Sequence, residues 1–66
     1  MEPYMERVIN EKQDLDAKIN KLSAFITGRV YVTLPEGECW DLLSQIRHMR
    51  AYSADLGSRI RRWMKG

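Results

Sequence analysis

Apolar residues recur along the chain at steps of three and four, the spacing that stacks side chains on one face of an α-helix. In the first half Met5, Val8, Leu15, Ile19, Leu22 and Ile26 form such a stripe, and Lys12 fills its one polar step. In the second half Cys39, Leu42, Ile46, Met49, Leu56, Ile60 and Trp63 do the same, with Ser53 as the exception. The pattern follows the a and d positions of a heptad. It predicts two amphipathic helices, near residues 3–26 and 34–64, joined by a connector at 27–33. The punctuation agrees. Thr27-Gly28 offers a stop, because glycine tolerates the left-handed conformation past a helix C-terminus. Thr33-Leu34-Pro35-Glu36 fits a capping box, in which the Thr33 hydroxyl accepts a free N–H and Glu36 reaches back. Glu36, Glu38 and Asp41 then fall in the first turns, where the helix dipole favours negative charge. Arg29-Val30-Tyr31-Val32 is β-prone but has no strand to pair with. It reads as an ordered connector that packs Tyr31 or Val32 over the hairpin end.

A connection of about seven residues between two such helices predicts an antiparallel hairpin. At ~1.5 Å per residue its arms would be roughly 35 and 45 Å long. Two helices bury only one seam, and Trp40, Leu43, Ala51, Ala54 and Gly57 lie off it. Gly57 costs about 1 kcal/mol relative to alanine inside a helix, a cost that close approach of another backbone would justify. The expected fold class is all-α: one helical-hairpin domain over 1–66 that assembles into a homo-oligomer.

Length strengthens that expectation. Ordering 66 residues costs roughly 100 kcal/mol at ~1.5 kcal/mol each, which leaves a chain this short little margin for folding alone. The hydrophobic share of 44% and formal charge of +2 exclude a disordered chain. A single cysteine, Cys39, excludes an intramolecular disulfide, and with His48 the sole histidine the common structural zinc patterns are absent. No apolar run approaches the ~18 residues of a membrane span, and MEPYMERV lacks a signal-peptide core. The expectation is a soluble, intracellular protein with no membrane partner.

Charge is unevenly spread. Residues 1–46 carry five basic and eight acidic side chains, a balance of −3; residues 47–66 carry six basic residues against Asp55, a balance of +5. A polyanionic partner should therefore meet the C-terminal third.

Catalytic chemistry is missing. His48 has no carboxylate at helical i±3 or i±4 spacing, and Cys39 lies nine residues away, over ~10 Å along a helix axis. There is no glycine-rich phosphate loop, no metal-ligand spacing and no nucleophile elbow. No enzyme, cofactor or metal is expected. Antiparallel packing would instead bring Tyr4 and Arg7 near Ile60, Arg61 and Trp63. Stacking faces and cations such as Arg7, Lys12, Lys18 and Arg59 suit nucleotides. Blander readings stand beside this one. Tyr4 serves equally as a packing residue, Lys12 as a register-setting polar a-position held by Glu11 and Asp14, and Arg59, Arg61 and Arg62 as complements to the helix dipole.

The run Tyr4-Met5-Glu6-Arg7-Val8-Ile9-Asn10-Glu11-Lys12-Gln13-Asp14-Leu15-Asp16-Ala17-Lys18-Ile19-Asn20-Lys21-Leu22 is followed by Phe25-Ile26, Leu34, Leu42-Leu43, Gln45, Met49, Tyr52, Leu56 and Arg59-Ile60. It resembles the phage helical-hairpin sponges that counter bacterial CBASS and Thoeris defence, together with small proteins of crAss-like phages. The resemblance implies a non-enzymatic protein acting in the cytoplasm of the infected bacterium. It implies a hairpin oligomer, hexameric in the better-known members, that sequesters cyclic di- or trinucleotides or cyclic ADP-ribose-type signals between protomers. Carried over by position, Tyr4 would stack on a base, Lys18 would hold phosphate, with Lys21 competing for that role, and Arg59 would meet cyclic-trinucleotide phosphates. Arg7 and Lys12 join the ligand set on charge and proximity. The alternative is a small helical adaptor that binds nucleic acid, or inhibits a host protein, through its basic C-terminal helix.

Overall fold

In the computed structural model, which describes residues 2–65, Pro3 opens the first helix. Its missing N–H falls where a helix has no internal acceptor, so proline is well tolerated there. Helix α1 spans Pro3–Ile26 and helix α2 spans Glu36–Lys65, with a single 3-10 turn, Tyr31–Thr33, between them. No strand is present among the described residues. The helices pair antiparallel into a rod of 48 × 15 × 14 Å. Cross-hairpin partners run from Tyr4–Trp63 at the open end to Glu11–Tyr52 and Lys12–Ser53 farther along, so the residue number falls on α2 as it rises on α1 over that length.

The connector differs from the expectation in three ways, each with a physical cause. α2 begins at Glu36 because Pro35 forces the residue before it out of helical geometry; Leu34 is extended, at φ −76° and ψ 152°. The capping box does not form. Thr33 sits in the 3-10 turn and its hydroxyl donates backwards to the Val30 carbonyl at 2.6 Å, while the Pro35 carbonyl receives the first amides of α2. At the end of α1 no left-handed glycine is used. The Thr27 hydroxyl donates to the Ala24 carbonyl at 3.0 Å, and Gly28 folds under so closely that a Cβ would lie 3.3 Å from the Phe25 carbonyl.

Of the two candidates for covering the closed end, Tyr31 does so and Val32 points to solvent. The Tyr31 ring meets Phe25 edge-on at 6.5 Å, and its hydroxyl donates to the Cys39 carbonyl at 3.2 Å. The Cys39 thiol lies 3.5 Å from the Tyr31 carbonyl and 3.8 Å from that of Leu34. Cys39 is therefore half-buried and fastens α2 to the connector. Desolvation raises the Tyr31 phenol above its ordinary 10.0, and its bonding with Cys39 adds to the effect.

The apolar core is thin. Ile19, Ile46 and Leu56 are buried, Leu56 almost completely. Beside them lie the two polar exceptions of the heptad stripes. The Lys12 ammonium donates to Ser53 Oγ at 3.0 Å and to Asp16 Oδ2 at 2.8 Å, and the Ser53 hydroxyl donates to the second Asp16 oxygen. Asp16, rather than Glu11 or Asp14, is the lysine's partner: at i+4 it lies on the side of α1 that faces Ser53. Gly57 has its reason here too. A Cβ on it would stand 3.2 Å from Lys12 Cε, so the glycine clears a path for the lysine stem rather than for another backbone.

Two measurements check this account. Leu56→Ala should cost about 2–5 kcal/mol, read as a large fall in melting temperature by circular dichroism. Hydrogen bonds from Lys12 and then Ser53 hold the Asp16 carboxyl below its ordinary 3.8, against a smaller opposing push from desolvation. A depressed folded value gives stability that is present above the unfolded value and lost as pH falls through the folded one. Melting temperature should therefore drop on acidification below 3.8, and Asp16→Asn should remove part of that drop. An acid dependence identical in the two proteins would place the effect elsewhere.

Candidate functional site

Tyr4, Arg7, Glu11 and Lys18 recur at steps of three, four and seven, so α1 carries them on one outer face. Arg7, Asn10, Glu11, Asp14, Leu15 and Lys18 line an open groove along that face. Across the hairpin, Tyr52 and Arg59 stand seven residues apart on the adjacent flank of α2. The Tyr52 hydroxyl donates to the Glu11 carboxylate and joins the two flanks into one surface. That bond raises the Tyr52 phenol above its ordinary 10.0, with desolvation and the Glu11 charge adding to it and Arg59 opposing.

At the open end of the hairpin the Tyr4 ring meets Trp63 edge-on, with centroids 5.7 Å apart and planes at 89°. The Arg59 guanidinium carbon lies 5.6 Å from the Trp63 ring centroid. Trp63 thus gathers Tyr4 and Arg59 around itself, Arg59 through a cation–π contact. Tyr4 stays half exposed and presents part of its ring to solvent.

Four of the five residues expected to bind ligand therefore share one side of the rod: Tyr4 and Arg59 around Trp63, Arg7 and Lys18 along the groove. Lys12 is placed apart from them, in the seam with Asp16 and Ser53. Of the competing lysines, Lys18 lines the groove and Lys21 lies about a turn beyond it. Two residues of this surface escaped the sequence reading. Glu11 reads as a neighbour of Lys12, and Tyr52 only as one position of the family-like pattern. Their juxtaposition follows only once Lys12 has been paired with Ser53, because Glu11 and Tyr52 each precede one member of that pair.

Chemically, the surface offers cations toward its ends, with acids and an amide between them. Arg7, Lys18 and Arg59 suit phosphate oxygens, Tyr4 and Trp63 suit a flat ring, and Glu11, Asp14 and Asn10 accept from hydroxyl or amine groups. A ligand covering it would need separated anionic and polar parts. Among the described residues no group of three or more His, Cys, Asp and Glu side chains is arranged to hold a metal ion. Among the same residues no helix is long and apolar enough to cross a membrane.

The Sequestin family model matches residues 2–62 of the chain, covering both helices and the connector. No curated protein and no solved structure matches it.

The Glu11–Tyr52 bond has a spectroscopic consequence. In a pH titration of tyrosine absorbance, Glu11→Gln should move one phenol transition to lower pH, and Tyr52→Phe should delete that same transition. Because both side chains are exposed, either change should alter stability by no more than about 0.5 kcal/mol.

Proposed function

The chain belongs to the Sequestin family, and we propose that it sequesters a cyclic nucleotide-type second messenger without cleaving it. The family match over residues 2–62 carries this reading. The signals would be cyclic di- or trinucleotides or cyclic ADP-ribose-type molecules, and their capture in an infected bacterium would silence CBASS or Thoeris defence. The working form is a homo-oligomer, the hexamer being the arrangement expected from related sponges.

On this reading the ligand lies over the Tyr4–Trp63 end and the groove of α1. Tyr4 supplies a face for a base, Lys18 and Arg7 meet phosphate, and Arg59 adds a cation beside Trp63. Lys12 holds the helices in register, its charge already satisfied by Asp16. Affinity arises from stacking and charge-assisted hydrogen bonds on a surface whose side chains are partly pre-positioned. No bond in the ligand is made or broken.

Native mass spectrometry with a panel of cyclic di- and trinucleotides and cyclic ADP-ribose isomers tests the proposal. Intact ligand should be retained in a fixed ratio to protomers and recovered unchanged after denaturation. Tyr4→Ala and Lys18→Ala should each weaken binding by about tenfold or more, with subunit count unchanged and melting temperature nearly so, Tyr4→Ala losing only its edge contact with Trp63. Retention of nothing from the panel would sink the assignment. Loss of the assembly in either variant would make that residue a packing element.

A further inference from the structure

Helix α2 carries a second charged face, on the flank away from Tyr52 and Arg59. Tyr52 and Arg61 are nine residues apart, two and a half turns, and therefore lie on opposite sides of the helix. Leu43, Arg47, Arg50, Ala54, Arg61 and Lys65 succeed one another along this face at steps of three, four and seven. Its four cations are all exposed and form two pairs. Arg47 and Arg50 border a groove with Leu43 and Ile46; Arg61 and Lys65 border a second with Arg62 and Ser58. Neither groove contains a carboxylate. Among the described residues the one salt bridge is Lys12–Asp16, so these cations have no counter-charge within the hairpin. Arg61 donates to the neutral Ser58 hydroxyl at 3.1 Å. The helix dipole accounts for only part of the row. Arg62 and Lys65 stand in the last turn of α2, where cations are favoured. Arg50 lies fifteen residues before Lys65, about four turns away, beyond the reach of that effect.

A row of like charges on one helix face is self-repelling until a partner supplies a matching row of anions. We propose that this face binds the phosphate backbone of double-stranded DNA, without regard to base sequence. Arg50 and Arg61 are eleven residues apart, about 16 Å along the helix axis. That is enough to bridge a major groove of ~12 Å and set one cationic pair on each of its phosphate walls. Three of the four cations are arginine, whose planar fork gives two N–H groups to one phosphate. What lies between the pairs selects the partner. Ala54 and Ser58 are small, so the backbone of the helix can approach closely. No aromatic ring stands there on which unpaired bases could stack. No Asn or Gln is placed to read a base edge, and no large apolar side chain to enter a bilayer. Tyr4, Arg7, Lys18 and Arg59 all lie outside this face, so the inference does not rest on the proposed sequestration.

Fluorescence anisotropy of the full chain with a labelled DNA duplex two turns long tests the proposal. Affinity should be the same for duplexes of unrelated sequence. It should fall roughly 100-fold between about 50 and 200 mM salt, as four phosphate contacts require. Arg50→Gln and Arg61→Gln should each weaken binding by about fivefold or more at the lower salt and make the salt dependence shallower by about one contact. Lys21→Gln removes the same charge from α1 and should change affinity by no more than about twofold, which separates a local face from net charge. Far-UV circular dichroism should be unaltered in all three, since each side chain is exposed. No binding at about 100 μM protein in the lower salt overturns the proposal. So does equal weakening by all three variants, or tighter binding of the single strand than of the duplex. Uptake onto vesicles of phosphatidylserine with no duplex bound would overturn it in favour of a lipid surface. Each of these failures leaves the retention of cyclic nucleotides, read separately by mass, untouched.

Discussion

The bond between Lys12 and its two acceptors, Asp16 and Ser53, sets the alignment of everything else in the hairpin. An all-apolar seam of heptad spacing tolerates a slip of one helix along the other, because one leucine or isoleucine packs much like the next. A lysine in the seam does not. Asp16 travels with it on α1, but only in the observed register does the ammonium also meet Ser53 Oγ, and a slip by one heptad would lose that bond and set the half-buried charge against Ile46 or Ile60. The registers that bring Glu11 to Tyr52 and Tyr4 to Trp63 are set by the same alignment. Stability is given up for it: an ion pair and a glycine occupy positions where three apolar residues would have bound the helices more tightly.

Most of the fold was legible because helical periodicity is a local signal. Both helices, their antiparallel order and the two polar steps can be read from spacing alone. The connector was less legible. Thr33 and Glu36 have the residue types of a capping box, but the proline between them moves the start of α2 to a place where Thr33 can reach only the preceding turn. Gly57 was recognised as a mark of close approach, but the approaching group was not. A glycine records that space is needed and not what fills it.

The candidate surface was legible in part. Tyr4, Arg7, Lys18 and Arg59 stand out as aromatic or cationic residues off the apolar stripes, and helical spacing brings them to one side. Lys12 stands out by the same criterion, yet it belongs to the seam; charge alone does not separate a half-buried cation held by a partner from one on the open surface. Glu11 and Tyr52 were hidden for the opposite reason. Each is unremarked on its own helix, and their meaning lies in a contact between residues 41 positions apart.

The two ends of the rod differ in how far apart in sequence their contacts lie. At the closed end Tyr31 and Cys39 are eight residues apart and bond to each other twice. At the open end Tyr4 must find Trp63 across nearly the whole chain. Loop-closure entropy favours forming the short-range contacts first. On that argument the hairpin is expected to close from the connector, with the Tyr4–Trp63 end assembling last. Any molecule that docked there would have to order the loose end as it bound, so part of its binding energy would be spent on completing the fold.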